Sequence, residues 1–229
     1  MLRASDHTSH QRLRHSVNTN LHLYREPTYE GLPVMADKGP FVREYLFRLK
    51  HTIDQALGQY PRVLAYRVDL RLPQGVELPD HASTNLVISR FIESFKAKIE
   101  HNRGRARERN QYAHDCKVRY VWSREVGQSG RQHYHLLILL NGDAYYTVGR
   151  LGSKNTNMIS RMQEAWASAL GLSVDQAGGL VHIPGKAEYR VERGSRDRLP
   201  ELFNRASYLC KSATKSYGDR QRGFDTSRG

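Results

Sequence analysis

Cysteine is scarce in this 229-residue chain. Cys116 and Cys210 stand far apart with no C-x-x-C spacing, which excludes a thiolate zinc site and a disulfide framework and suits a reducing bacterial cytoplasm. Long apolar runs are missing as well. The opening stretch MLRASDHTSHQRLRHSVNTN has no hydrophobic signal segment, and no later stretch approaches a membrane span, so neither secretion nor a membrane partner is expected. There is no G-x4-G-K loop, which excludes a fused nucleotide-driven motor, and there is no internal repeat.

What is abundant is positive charge. Thirty-six basic against 23 acidic side chains leave a net +13. That balance, with a pI near 9.9, points to an acidic partner, nucleic acid before an anionic membrane. Arginine outnumbers lysine, and its planar fork matches phosphate oxygens and guanine edges better than an ammonium does.

Periodicity divides the chain. Residues 1–39 are polar, rich in His and Arg and close on turn formers, and read as a flexible basic N-terminal arm. Residues 40–60 carry a leading helix, with Val42, Tyr45, Leu46, Leu49, Ile53 and Ala56 at helical spacing and Gly58 as a stop. The main domain is expected over 61–217, with a frayed polar tail at 218–229. Within it, VLAYRVDLRL (63–72) predicts a strand, and Thr84 caps a helix with Ile88, Phe91, Ile92, Phe95 and Ile99 on one stripe. HNRGRARERN reads as a basic loop. Residues 117–126 and 133–140 predict an antiparallel hairpin. Asn155 is expected to cap a further helix that Gly171 ends, short strands follow near 180–183 and 187–191, and a last helix starts near Pro200 and buries Leu202, Ala206, Leu209 and Ala213. The order predicts an α+β fold, a mainly antiparallel central sheet flanked by helices.

The hairpin carries the chemistry. Side chains two apart on a strand share a face, so His133 and His135 point together and Glu125 lies across the loop, a two-histidine, one-carboxylate set able to hold one divalent cation, Mg²⁺ or Mn²⁺. A His-apolar-His triplet alone is a weak signal, as common for packed histidines as for ligands. Tyr208 follows in SYLCK, three residues before Lys211, and Asn204, Tyr208, Lys211 and Lys215 share the polar side of the expected last helix. A phenol with pKa near 10 is a poor nucleophile at neutral pH, so a neighbouring ammonium and a phosphate-polarising metal would both assist it. A tyrosine at a helix edge is more often plain packing. Its place after the histidine hairpin, in the chain's one Tyr-x-x-Lys, weighs against that reading.

The run REVGQSGRQHYHLLILLN followed by YLCK resembles the HUH endonucleases, the superfamily of replication initiators, relaxases and single-strand transposases, over roughly Val63 to Lys215. The RVDL strand and the last helix look most like the inovirus replication-protein family, also described as YagK/YfjJ-type domains. The resemblance implies Glu125, His133 and His135 as metal ligands, Tyr208 as nucleophile and Lys211 as its basic helper; Asp69 falls in the first family motif with its role open. It implies rolling-circle initiation: attack on a phosphodiester of single-stranded or hairpin origin DNA, a 5′-phosphotyrosine, a free 3′-hydroxyl, and rejoining by the reverse step. A host helicase and polymerase would then be partners. Some filamentous-phage initiators carry a second tyrosine one turn on, where this chain has Ser212, so a one-tyrosine cycle, or one aided by a second subunit in a homodimer, is expected. Leu137 stands where a histidine-triad hydrolase would have its third histidine, which demotes that reading.

Candidate DNA contacts are Arg105 and Arg107 in the basic stretch, Arg131 beside the hairpin, Lys154 and Lys215, each of them by itself more often a solvated charge. Two rivals remain at this stage: a single-tyrosine transposase or mobilisation relaxase, and a non-catalytic basic DNA-binding protein or repressor. Whether the host element is phage, plasmid or prophage is not written in the chain.

Overall fold

Three long strands alternate apolar side chains toward one face and a graded mixture toward the other, and this alternation sets the architecture. The computed structural model describes residues 13–127, 130–149, 152, 156–195, 197–213, 215 and 221–228. Short strands β1 (Leu23–Tyr24), β2 (Thr28–Tyr29), β3 (Leu32–Pro33) and β4 (Phe41–Val42) precede helix α1 (Arg43–Gln59). Then come β5 (Arg62–Arg71), α2 (Leu86–Arg109), β6 (Arg119–Val126), β7 (Gln132–Asn141) and α3 (Met158–Leu170). The chain closes with β8 (Val181–His182), β9 (Glu188–Glu192), α4 (Leu199–Ser207) and β10 (Phe224–Thr226).

The central sheet has six strands, all paired antiparallel, in the order β10-β6-β7-β5, with β8 and β9 sharing the outer edge of β5. The expected α+β class is the observed one. Leu64, Tyr66, Val68 and Leu70 of β5 join Tyr134, Leu136, Ile138 and Leu140 of β7 on the face covered by α2 and α3, where Phe91 and Trp166 meet edge to face at 5.9 Å. The opposite face is split. At one end Val63, Ala65, Val121, Leu137 and Leu139 pack under α1 and α4 through Leu46, Leu49, Ile53 and Phe203. At the other end the same rows turn polar: Arg67, Asp69 and Arg71 on β5, His135 and His133 on β7, Ser123 and Glu125 on β6. The helices thus bury the apolar half and leave the polar half for a site.

Four local expectations change. The stretch HNRGRARERN is helical, because α2 runs on to Arg109: its Arg, Ala and Glu residues are strong helix formers, and Tyr145 donates to Asn102 at 2.8 Å to hold the last turns. The expected cap Asn155 lies outside the described residues; Asn157 caps α3 instead, in a reciprocal capping box with Ser160, and Gly171 ends the helix at φ 69°. From Leu13 onward the expected arm is built into the fold, since Tyr29 stacks on Phe203 at 6.2 Å and the Met35 N–H donates to the Ser207 hydroxyl at 2.9 Å. Within the expected frayed tail, β10 extends the sheet beside β6, with Phe224 stacked on Tyr45 at 4.2 Å and Asp225 paired with Arg48.

Candidate active site

Register on the sheet brings the polar rows together. Asp69 of β5 stands opposite His135 of β7, and His135 opposite Ser123 of β6; one step along, Arg71, His133 and Glu125 form the next row. Glu125 therefore faces His133 directly and His135 on the diagonal, and one ligand atom from each of the three lies within 4.8 Å of the others. The hairpin loop places them as the alternation requires.

Asp69 fixes the chemistry of His135. Its Oδ1 lies 2.6 Å from His135 Nδ1, so that nitrogen carries the proton and the Nε2 lone pair points to the other side. There Nε2 is buried, has no hydrogen-bond partner, and sits 3.5 Å from Glu125 Oε2. Ligand bonds of about 2.1 Å hold two ligand atoms roughly 3 to 3.5 Å apart, so this gap is the one a shared divalent cation spans. Burial raises the Asp69 carboxyl, but the hydrogen bond from His135 Nδ1, with the Arg67 guanidinium, outweighs it and holds the carboxyl at about 2. Burial pushes His133 below the usual imidazole value, the direction that favours the neutral form a metal ligand needs.

Glu125 is a buried carboxylate with both oxygens engaged: Lys211 Nζ lies 3.0 Å from Oε2 and Lys215 Nζ 3.1 Å from Oε1. Burial works against its ionised form, yet the two ammoniums beside it win and hold it far below the carboxylate range. Each carboxylate oxygen has two lone pairs, so Oε2 can accept from Lys211 and still face His135. The Lys215 side chain is fully enclosed, and burial, opposed by Glu125, brings it down to about 8. The residues present therefore fit a divalent ion on Glu125, His133 and His135.

Tyr208 arrives from the other side. The expected long last helix is shorter than its periodicity suggests: α4 stops at Ser207, Tyr208–Cys210 form a 3₁₀ turn, and Lys211 is extended. The cause is tertiary, because Lys211 bridges to Phe41 and the Ser212 N–H donates to the Pro40 carbonyl at 2.9 Å. The turn still joins the pair, with Lys211 Nζ donating to the Tyr208 hydroxyl at 2.5 Å and standing 3.8 Å from the ring centroid. The Tyr208 ring meets His135 edge to face at 5.2 Å and lies under Arg67 at 5.3 Å. Tyr208, Lys211 and the Glu125, His133 and His135 cluster thus converge.

Of the proposed nucleic-acid contacts, Arg131 lines an open cavity of about 330 Å³ with Arg71, Gln132, His133 and His135. Lys215 serves Glu125 instead. Arg105 and Arg107 sit on the last turns of α2, paired with Glu108 at 3.0 Å and Asp115 at 3.9 Å. They lie at the far end of the sheet, since the start of α2 packs by Tyr134 and its end by Tyr145. Lys154 lies outside the described residues. Three further residues gather here unforeseen: Arg67, on Asp69 Oδ1 at 3.2 Å; His182, with Nδ1 3.6 Å from Asp69 Oδ2; and Arg205. The signal for the first was present, since Arg67, Asp69 and Arg71 occupy alternate positions of a core strand whose other face is wholly apolar.

The family model described as the YagK/YfjJ C-terminal domain matches residues 24–227. Two relatives from Escherichia coli (strain K12), both described as uncharacterized, extend the match along almost their whole length. YagK is 34% identical over 209 residues, covering 88% of this chain and 98% of its own. YfjJ is 34% identical over 202 residues, covering 83% of this chain and 97% of its own. Among solved structures, the N-terminal nuclease domain of the minute virus of mice non-structural protein-1 aligns over 78% of this chain and 77% of its own at 10% identity and a TM-score of 0.22, a likeness too slight to inform fold or chemistry. No described helix is long and apolar enough to cross a membrane.

Proposed function

The chain belongs to the YagK/YfjJ C-terminal domain family, and on that premise we propose that it nicks and rejoins single-stranded DNA through a 5′-phosphotyrosine, in the manner of an HUH replication initiator. The observation that carries this reading is Lys211, which touches the Tyr208 hydroxyl and the Glu125 carboxylate at once. One ammonium thereby ties a nucleophile to a set of residues suited to a metal.

In the proposed reaction the Tyr208 Oη forms a bond to phosphorus and the bond from phosphorus to the 3′ oxygen breaks. The phenol proton leaves to solvent and the departing 3′ oxygen takes one from water. Lys211 stabilises the phenolate, which is otherwise scarce near neutral pH. Asp69 holds His135 with Nε2 free, and Lys215 neutralises the second Glu125 oxygen. A Mg²⁺ or Mn²⁺ ion held by Glu125, His133 and His135 would polarise the phosphate. Rejoining runs the same steps backward, with the 3′-hydroxyl as nucleophile.

The test is an incubation of the protein with labelled hairpin DNA from its own element in Mn²⁺ or Mg²⁺, followed by denaturing separation. A covalent protein-DNA adduct, lost in Tyr208→Phe and in His135→Ala, is expected. Tight binding with no adduct across candidate origins would favour the non-catalytic DNA-binding reading.

A further inference from the structure

Behind Tyr208, on the side away from the hairpin loop, lies a second cavity of about 220 Å³ bounded by Lys38, Arg67, Arg205, Asp69, His135 and Tyr208. Its charge is uneven. Arg67 is 4% exposed, and its guanidinium reaches Asp69 Oδ1 at 3.2 Å and the Arg205 carbonyl at 3.4 Å, yet its Nε has no partner. The Arg205 Nε is likewise buried and unpartnered, and among the described residues no carboxylate pairs with Arg205. Lys38 completes the lining, paired with its neighbour Asp37 at 3.0 Å. Asp69, the acidic wall, already serves His135, Arg67 and His182.

Two guanidiniums and an ammonium against the single Asp69 carboxylate leave the lining of this hollow net positive, and a guanidinium fork fits phosphate oxygens two at a time. The cavity also has a counterpart. The opening beside Arg131 and His133 shares Asp69 and His135 with it, so the two hollows flank the place where Tyr208 meets His135. A strand laid across that place puts one neighbouring phosphate on each side.

We propose that Lys38, Arg67 and Arg205 form a phosphate subsite that holds the backbone phosphate next to the one Tyr208 attacks. The subsite rests on the strand-transfer reading above for the direction of the strand. It sets register: the phosphate gripped behind Tyr208 determines which phosphodiester reaches the hydroxyl.

Arg67 is too deeply buried to replace safely, so the test uses Arg205→Gln and Lys38→Gln, with Arg198→Gln, at the residue that precedes α4, as control. Binding of a fluorescent oligothymidylate of about twenty nucleotides is measured in EDTA, in a Tyr208→Phe background, from about 50 to about 300 mM salt. Arg205→Gln is expected to weaken binding about tenfold and to lower the slope of log K against log salt by about 0.7, the loss of one phosphate contact on a single strand. Arg198→Gln should change neither. An unchanged slope in folded Arg205→Gln and Lys38→Gln overturns the subsite; if Arg205→Gln does not fold, Lys38→Gln decides alone. Because binding is read without metal or turnover, a slope change with no adduct in the nicking assay retains the subsite and removes the strand-transfer reading, and an adduct with no slope change does the reverse.

Discussion

Asp69 and His135 face each other across adjacent antiparallel strands and share a 2.6 Å hydrogen bond, with the free imidazole nitrogen turned toward Glu125. The carboxylate thus decides which nitrogen of His135 is available. Asp69→Asn keeps the shape but its amide can present either a donor or an acceptor, so the tautomer is no longer imposed. Partners of this kind are worth 10- to 100-fold in metal affinity. Titration calorimetry with Mn²⁺ is expected to show a loss in that range for Asp69→Asn, and wild-type affinity in that variant would remove the orienting role.

Lys211 poses a different question, because it contacts the Tyr208 hydroxyl and the Glu125 carboxylate together. Lys211→Met removes the charge that favours the phenolate and frees one lone pair of Glu125. Adduct formation should fall by about 10² to 10³, the usual cost of removing one group that stabilises developing charge, while Mn²⁺ affinity holds or rises. Loss of both together would mean that Lys211 mainly holds Glu125 in place.

The hairpin with Glu125, His133 and His135 was legible from sequence because strand alternation and a short loop are local rules, and the apolar stripes of α1 to α4 gave the α+β class for the same reason. What escaped depends on residues distant along the chain. The pairing of Asp69 with His135 spans 66 positions and follows from sheet register. The stop of α4 at Ser207 is set by Pro40 and Phe41, not by anything in SYLCK. Arg205 lies within a helix whose apolar side alone was readable, and β10 is three residues long, too short for any period to show.

That short strand makes its own prediction. Burial raises the Asp225 carboxyl, but the hydrogen bond from Arg48, with help from the Thr226 N–H and Arg222, lowers it overall. A depressed carboxylate contributes stability above its unfolded pKa, near 3.9, and loses it as pH falls through the lower folded value. Asp225→Asn should therefore cost about 1 kcal/mol at pH 7, a modest figure because the pair is partly exposed. Melting curves should show the gap between wild type and variant narrowing as pH falls below about 3.9. A gap that persists there would point to packing.

Gly104 lies inside α2, and a Cβ added to it meets nothing within 4 Å. A glycine in a helix interior costs about 1 kcal/mol relative to alanine. Gly104→Ala is accordingly expected to raise the urea midpoint by a corresponding amount. The same variant should form adduct at the wild-type rate, since the last turns of α2 lie at the end of the sheet away from Tyr208.

The two thiols report on the turn that carries Tyr208. Cys210 is fully buried between Tyr208 and Lys211, and burial pushes its thiol well above the usual range. Cys116 is pushed up to about 11 by burial, only partly offset by the Asn141 N–H that donates to its sulfur at 3.3 Å. Both are then almost wholly protonated at pH 8, and the thiolate is the reactive form. Dithionitrobenzoate should label neither quickly in the native protein and both at once in guanidinium. Loosening the Pro40 and Phe41 contacts that hold residues 211 and 212, for example by Ser212→Pro, which removes the N–H donated to the Pro40 carbonyl, should speed labelling of Cys210 more than of Cys116, because it opens the turn without altering the sheet core. Equal acceleration at both sites would mean that the turn opens only when the whole domain does.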